Sequence, residues 1–456
     1  MLIKKLKNKV RYITSQIEEC NKDIKENKNQ ISEIMIAHKN NYNELNNKIA
    51  ELTKELNLIT NLNNEVIYRV NNLKKFENYN PEYSLLDDKT KKILICGFFG
   101  ADNLGDEMML KTLLEYFPEN SRYEIWIMLA NNNKYDIYKN GYYHYIHYPQ
   151  SKFDIQFLAK KFDKIIFCGG AHIDPDNYER DFTNELSFST ILIDLSTAMI
   201  KEQKDVFLLG LSTTKKINNE KYIKRLQYVI DNSNYFSLRD SNSLETLTNA
   251  EIETQNIKIQ ADIVIANKQF ITKKVKPEKD TIGVILICNE ELKETNRIII
   301  TELSKLKKYK ITLIPFYDYL NNDYNHYQEL ISSIKNKENI DIVKYTDDMD
   351  NLKHILENVE FVISGRYHGI LISMILNKKI LGLNYDKHPH YENKIKYLYQ
   401  KYSKEKNLIN YSELNKTEMN KCLNSFLKNA KFVKFNQNEI FKASKDLENL
   451  VKIIVD

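Results

Sequence analysis

The chain has 456 residues, 42% of them hydrophobic and 28% charged, with 30 Tyr and 19 Phe against only 11 Gly and 7 Pro. This excludes a mainly disordered, collagen-like or Pro-rich protein and allows two or three domains. The 67 Lys and Arg against 62 Asp and Glu leave a net charge of +5, too small over this length to mark a nucleic-acid binder, so no nucleic-acid partner is expected.

The five cysteines, Cys20, Cys96, Cys168, Cys288 and Cys422, form no C-x-x-C pair. They support neither a disulfide framework nor a zinc ribbon and fit a reducing cytosol. No run reaches the roughly 18 apolar residues a membrane helix needs, and the start MLIKKLKNKVRYI lacks the apolar core of a signal peptide. A cytoplasmic protein is expected.

Residues 1–78 read as a coiled-coil helix. One heptad seam runs Ile3, Val10, Ile17, Ile24, Ile31, His38, Leu45, Leu52, Ile59, Val66 and Leu73. A second, Leu6, Ile13, Cys20, Ile34, Tyr42, Ile49 and Leu56, shifts by one position and is interrupted by Asn27 and Asn41. Such a stripe must be covered, by a helical hairpin or, on the favoured reading, by other copies in a parallel homo-oligomer. Asn78-Tyr-Asn-Pro81 ends the pattern.

From Lys91 short apolar runs alternate with amphipathic segments. Strands are expected at Lys92–Phe99, Tyr123–Leu129, Lys164–Cys168, Val206–Leu211 and Tyr235–Leu238. Helices are expected at Leu104–Phe117, Thr183–Lys201, Glu220–Asp231 and Ser241–Thr248. After a connector at Thr272–Asp280 a second series follows: Thr281–Cys288, Ile311–Phe316, Ile340–Tyr345, Phe361–Ser364 and Ile380–Tyr385. The fold class is α/β, with two tandem Rossmann-like units at 90–271 and 280–390 and a mostly helical segment at 391–456 that could cross back over both.

Four loops after strands carry the chemistry, because ligands in open parallel sheets bind outside the strands' carboxyl ends. The first holds Gly97, Gly100, Asn103, Gly105, Asp106 and Glu107. It is neither a dinucleotide fingerprint nor a Walker loop, and Asp102 or Asn103 could simply cap the next helix. The second is Gly169-Gly170-Ala171-His172-Ile173-Asp174, in which Asp174 and Asp176 could merely support a turn. The third is Arg239-Asp240-Ser241, where Arg239 is either an anion ligand or a salt-bridge residue and Asp240 or Ser241 can cap a helix.

The fourth, Gly365-Arg366-Tyr367-His368-Gly369, is the most specific. Arg offers a planar fork for phosphate or carboxylate, the helix N-terminus offers N–H donors, and His can move a proton near neutral pH. The bland reading pairs Arg366 with a carboxylate and makes His368 a helix cap. Tyr385-Asp386-Lys387-His388-Pro389-His390 ends a further strand and is a candidate to line the same cleft, with His388 and His390 reading equally well as loop residues. No metal-ligand spacing is present, and His144 and His147 sit in an aromatic segment that reads as packed strand.

In this order the motifs resemble the polysaccharide pyruvyl transferase family over about residues 92–390: Gly97–Glu107, Gly169-Gly170, Arg239-Asp240 with Ser243, Asp262, and Arg366-Tyr-His368 followed by Asn384-Tyr-Asp386-Lys387. Ala171 stands where a third Gly is usual and Tyr367 where Leu is common. The resemblance implies a GT-B-like fold and transfer of pyruvate from phosphoenolpyruvate to two hydroxyls of a cell-surface saccharide or its precursor, giving a cyclic ketal.

On that implication Arg239 and Arg366 face each other to hold the donor's anionic groups, with Gly97, Gly100, Asn103, Gly105, Gly169 and Gly170 lining the substrate. His368 is the general acid, Asp106 a base or hydroxyl-orienting group, and no cofactor or metal is needed. A lipid-linked acceptor would bring the protein to a membrane surface. Two other classes stay open: a nucleotide-sugar glycosyltransferase using the same cleft, and an inactive coiled-coil scaffold with a pyruvyl-transferase-like domain.

Overall fold

The computed structural model describes residues 2–79, 86, 89–119, 121–130, 143–179, 181–182, 185–213, 216–271, 275–318, 322–346, 348–385, 394–403 and 407–456. The chain divides into two units, Met1–Tyr79 and Asn80–Asp456.

The first unit is one helix, Leu2–Tyr79, of 78 residues, about 115 Å at 1.5 Å per residue. Its helical stretch stops beside the Asn78–Pro81 punctuation. Seam residues Ile13, Ile17, Ile24, Ile31, Leu45, Ile49, Leu52 and Leu56 are all exposed. The side chains of Ile3, Val10, Ile34, Ile59, Val66 and Leu73 lie outside the described set. What is observed is a long helix whose described seam residues form an exposed apolar stripe.

The second unit holds the strands β1 Lys91–Phe99, β2 Tyr123–Leu129, β3 Tyr143–His147, β4 Lys164–Cys168, β5 Asp181–Phe182, β6 Glu185–Leu186, β7 Asp205–Leu211, β8 Tyr235–Leu238, β9 Lys258–Ile259, β10 Thr281–Ile285, β11 Lys310–Leu313, β12 Ile340–Ile342, β13 Phe361–Ser364, β14 Lys379–Asn384 and β15 Leu408–Asn410. Among the described residues β3-β2-β1-β4-β7-β8-β9 form one sheet and β12-β11-β10-β13-β14-β15 another. Every pair within them is parallel. Both sheets reverse their order next to their first strand, between β1 and β4 and between β10 and β13. That is where an open parallel sheet forms its crevice.

The central strands β1, β4, β7, β10, β13 and β14 are buried on both faces, which explains their unbroken apolar runs. Two expectations need correction, and one is met. The helix expected at Thr183–Lys201 begins only at Phe188, because Ser187 accepts the Thr190 N–H as its cap. The antiparallel pair β5 and β6 precedes it. In the mostly helical tail, β15 extends the second sheet as an edge strand on β14. The aromatic segment around His144 and His147 is β3, with His144 stacked on Trp126 at 4.6 Å.

One apolar core runs through both halves: Ile93 and Met109 beside the first sheet, Ile370 and Leu398 beside the second, and Leu447 and Val451 of the terminal helix Gln437–Val455. That helix packs on the turn Ile263–Ala266. Ser444 donates to the Ala266 carbonyl at 3.3 Å, and Lys164 reaches the Ile454 carbonyl at 2.6 Å. The two sheets therefore share buried surface and hold a fixed relation, with their crevices opposed.

Candidate active site

The first glycine loop bridges the two halves. Asn103 pairs with Tyr317 in an antiparallel bridge, Leu104 N donates to Phe316 O at 3.0 Å, and Asp318 N donates to Asp102 O at 3.1 Å. Helix Leu104–Leu114 starts there. Asn103 occupies its cap position without a side-chain bond. Gly105 and Asp106 lie in its first turn, facing the second half.

The glycines mostly shape the loops. Gly97 lies inside β1, its carbonyl accepting from Tyr148 Oη at 2.6 Å. Gly100, at φ +72°, donates its N–H to Glu107 Oε1 at 2.7 Å. Gly169 and Gly170, at φ +64° and +83°, tie the second loop to β7 and the residue after it through Leu209 O and Ser212 N. These positive φ angles are ones that side chains resist. His172 leans on Phe188 at 4.1 Å over Gly170, and Asp174 accepts from Asp176 N and Asn177 Nδ2, the turn-supporting role.

The residues that meet come from segments far apart in the chain. Arg239 follows β8, and Asp240 caps the next helix by accepting Ser243 N at 2.7 Å. The Arg239 guanidinium donates from Nη1 to Asp262 Oδ2 at 2.9 Å and from Nη2 to Ser212 Oγ at 3.4 Å. The ring of Tyr367, from the second half, lies 4.3 Å from its Cζ. His368 Nε2 is 3.7 Å from Asp262 Oδ2, and the Tyr367 and His368 rings meet edge to face at 5.1 Å.

Burial would raise the Asp262 carboxyl, but His368 and Arg239 hold it well below the usual range. Asp106 shows the opposite outcome: burial lifts it to about 6, against the pull of His368 and Arg239. The seam thus holds one carboxylate kept ionised and one carboxyl poised near neutrality, beside an imidazole. This is an arrangement for proton transfer.

Arg366 and His368 diverge. Helix Tyr367–Ile375 has Arg366 at its cap position and His368 in its first turn, so His368 is not a cap. The Arg366 guanidinium grips Asp323 at 2.7 and 2.9 Å and donates from Nε to Leu286 O at 3.1 Å. Asp323 Oδ2 also accepts from Phe316 N and Tyr317 N, the segment bridged to the first glycine loop. Arg366 therefore braces the bridge, while Arg239 lies with His368.

Sequence reasoning did not single out Asp323, and it met Asp262 only as a family motif. The signal for Asp262 was an Asp directly before the apolar run Ile-Val-Ile-Ala; Asp323 carried none. Asp386, Lys387, His388 and His390 lie outside the described residues. Among the described residues no group of three His, Cys, Asp or Glu is placed to hold a metal ion, and no helix is long and apolar enough to cross a membrane.

Two parallel sheets of this order, closing their crevices on a shared polar cluster, define a GT-B-like α/β enzyme. Residues 103–387 match the family model for polysaccharide pyruvyl transferase, which is more than half of the chain, and the protein belongs to that family. No curated protein matches the chain. Similar solved structures include UDP-GlcNAc 2-epimerase from Neisseria meningitidis bound to UDP-GlcNAc, at 15% identity over 79% of this chain and 100% of that one, with a TM-score of 0.52. Others are the Methanocaldococcus jannaschii UDP-GlcNAc 2-epimerase, at 15% over 80% and 99% with a TM-score of 0.51, and Anabaena HepE in complex with UDP and glucose, at 12% over 80% and 99% with a TM-score of 0.51. At these identities they establish the fold alone.

Proposed function

We propose that the protein transfers pyruvate from phosphoenolpyruvate to two hydroxyls of a saccharide, releasing phosphate and leaving a cyclic ketal. The observation that carries this reading is the meeting of Arg239, Asp262, His368 and Asp106 at the seam, in a chain of this family. In the proposed sequence His368 gives a proton to the donor's methylene carbon, which makes the neighbouring carbon electrophilic. A sugar hydroxyl adds there as its proton passes to Asp106. The second hydroxyl then takes the place of phosphate, which leaves with the C–O bonding pair, and the hydroxyl proton returns to His368, now neutral. Arg239 binds an anionic group of the donor, and Asp262 holds both Arg239 and His368 in place. Arg366, engaged with Asp323, supports the loop that presents His368. The scheme uses no metal or nicotinamide.

The acceptor is a diol of a cell-surface polysaccharide or its precursor, and the reaction belongs to the cytoplasm. A lipid-linked precursor would bring the enzyme to the membrane surface. The apolar stripe of the long helix is covered by further copies of the chain in a parallel coiled coil.

Phosphate release from phosphoenolpyruvate in the presence of saccharide acceptors tests the activity. His368→Asn keeps polarity but cannot act as an acid, so turnover falls by about 10²–10⁴ while donor affinity survives. Normal turnover in that variant rules out His368 as the acid. A second reading, a nucleotide-sugar enzyme, draws on the UDP ligands of the structural neighbours. A thermal-shift comparison of phosphoenolpyruvate with UDP-sugars separates the two, because a ligand bound only by the folded state raises its stability.

A further inference from the structure

Arg239 is only 5% exposed, and what touches its planar guanidinium decides which way the plane faces. Nη1 donates to Asp262 Oδ2 at 2.9 Å, while the Nη2 bond to Ser212 Oγ is long, at 3.4 Å. Nε is buried and has no hydrogen-bond partner among the described residues. Both partners belong to the first half of the fold and engage the terminal nitrogens alone. One good bond and one long one leave the plane room to tilt about the Asp262 contact.

The further contact comes from the second half. Tyr367 opens helix Tyr367–Ile375, and Ile370 and Leu371 behind it are 0% exposed in the shared core, so the ring stands on a fixed base. Arg239 Cζ lies 4.3 Å from the centre of that ring. This is a cation–π distance, and such contacts strengthen where water is kept out. The Tyr367 ring also meets the His368 imidazole at 89°, with the centres 5.1 Å apart. One half-buried side chain thus touches both the cation and the imidazole of the seam, yet enters no step of the proposed reaction. A Leu at this position, common in the family pattern, would offer Arg239 an apolar contact but no π face.

Resting on the pyruvyl-transfer reading, we propose that Tyr367 is the positioning residue for the donor anion: its ring steadies the Arg239 guanidinium so that the Nε edge meets the donor's phosphate or carboxylate. It acts through Arg239 and not on the reacting atoms. The anion supplies the acceptor that Nε lacks. Binding gains because the guanidinium is already in place and little side-chain freedom remains to be lost. The contact with His368 ties the position of the acid to that of the cation.

Titration calorimetry on the full chain, with phosphoenolpyruvate and inorganic phosphate as separate probes, reads the affinity for the anion. Turnover with saccharide acceptors and the thermal midpoint are measured on the same preparations. Tyr367→Phe keeps the ring and is expected to keep most of the affinity for both probes. Tyr367→Leu is expected to bind both about 10-fold more weakly, with kcat falling by a smaller factor. In an Arg239→Gln background Tyr367→Leu should cost no further affinity, because the cation through which the ring acts is gone. The comparison of Phe with Leu stands alone if the Arg239 variant does not fold. Wild-type affinity in Tyr367→Leu, with turnover intact, overturns the positioning role and leaves the pyruvyl-transfer reading standing, and so does an equal loss in Phe and Leu. Phosphate binding that weakens in Leu but not in Phe, without turnover of phosphoenolpyruvate, supports the positioning role and removes that reading. If the folded wild type binds neither probe, both fall.

Discussion

Gly105 and His368, 263 positions apart in the chain, lie in contact: a Cβ built on Gly105 would stand 2.0 Å from His368 Nδ1. The first half of the fold therefore forms the wall against which the imidazole of the second half rests, and only a residue without a side chain fits there.

Gly105→Ala should accordingly lower turnover by about 10²-fold, because the imidazole is pushed from its place by an ångström or more. Helix propensity favours Ala by about 1 kcal/mol at such a position, so the loss should come without a matching fall in thermal midpoint. Turnover and melting measured on the same preparation check this. An unchanged rate would show that His368 is not held by this wall.

With Asp106 near 6, a base at this position is protonated in acid. We expect kcat/KM to fall below about pH 6 for the wild type. Asp106→Asn should lower the rate by about 10²-fold or more and flatten that acid limb. A pH–rate profile of both proteins decides it.

Arg366→Ala leaves the Asp323 carboxylate, 0% exposed, without its counter-charge. Breaking one side of a buried pair costs about 3–5 kcal/mol, so denaturant midpoints should drop strongly. The bridge from Phe316–Asp318 to Asp102–Leu104 should loosen with it, since Asp323 holds both Phe316 N and Tyr317 N. Intact stability with weakened donor binding would instead return Arg366 to the donor site.

Glu107 is buried, and burial raises its carboxyl to about 8 although the Gly100 N–H opposes the shift. Its folded pKa thus lies above the unfolded value of about 4.5, so between these values the folded state binds more protons than the unfolded one. Stability from this group falls as pH rises from about 4.5 to about 8, by a few kcal/mol. Glu107→Gln keeps an acceptor for Gly100 and does not titrate. Its stability relative to the wild type should therefore improve from pH 5 to pH 8, as read from urea unfolding at the two pH values.

Light scattering on the full chain and on residues 80–456 tests the long helix. The full chain should be oligomeric and the shorter protein of lower order. Asn27 and Asn41 favour a dimer, in which buried Asn pairs with its equivalent. A monomeric full chain would leave the stripe to be covered in some other way.

The local pattern by itself determined the central strands of both sheets and most of the helices between them, and put the glycine loops, Arg239 and the Arg366–His368 segment at carboxyl edges, because the periods of 2 and 3.6 and the Gly and Asn punctuation are properties of neighbouring residues; it missed the short pieces β5, β6, β9 and β15. It also gave residues 1–78 as one helix with an apolar stripe, against Leu2–Tyr79 in the structure. Only the tertiary structure decided partners. Arg239 and Arg366 are alike in type and in position after a strand, yet one lies with Asp262 and His368 while the other is drawn to Asp323, 43 residues earlier in the chain. A charged side chain's role depends on which opposite charge the fold brings within about 3 Å in a dry environment. That distance is set by the closing of two sheets on a common core, and no run of adjacent residues encodes it.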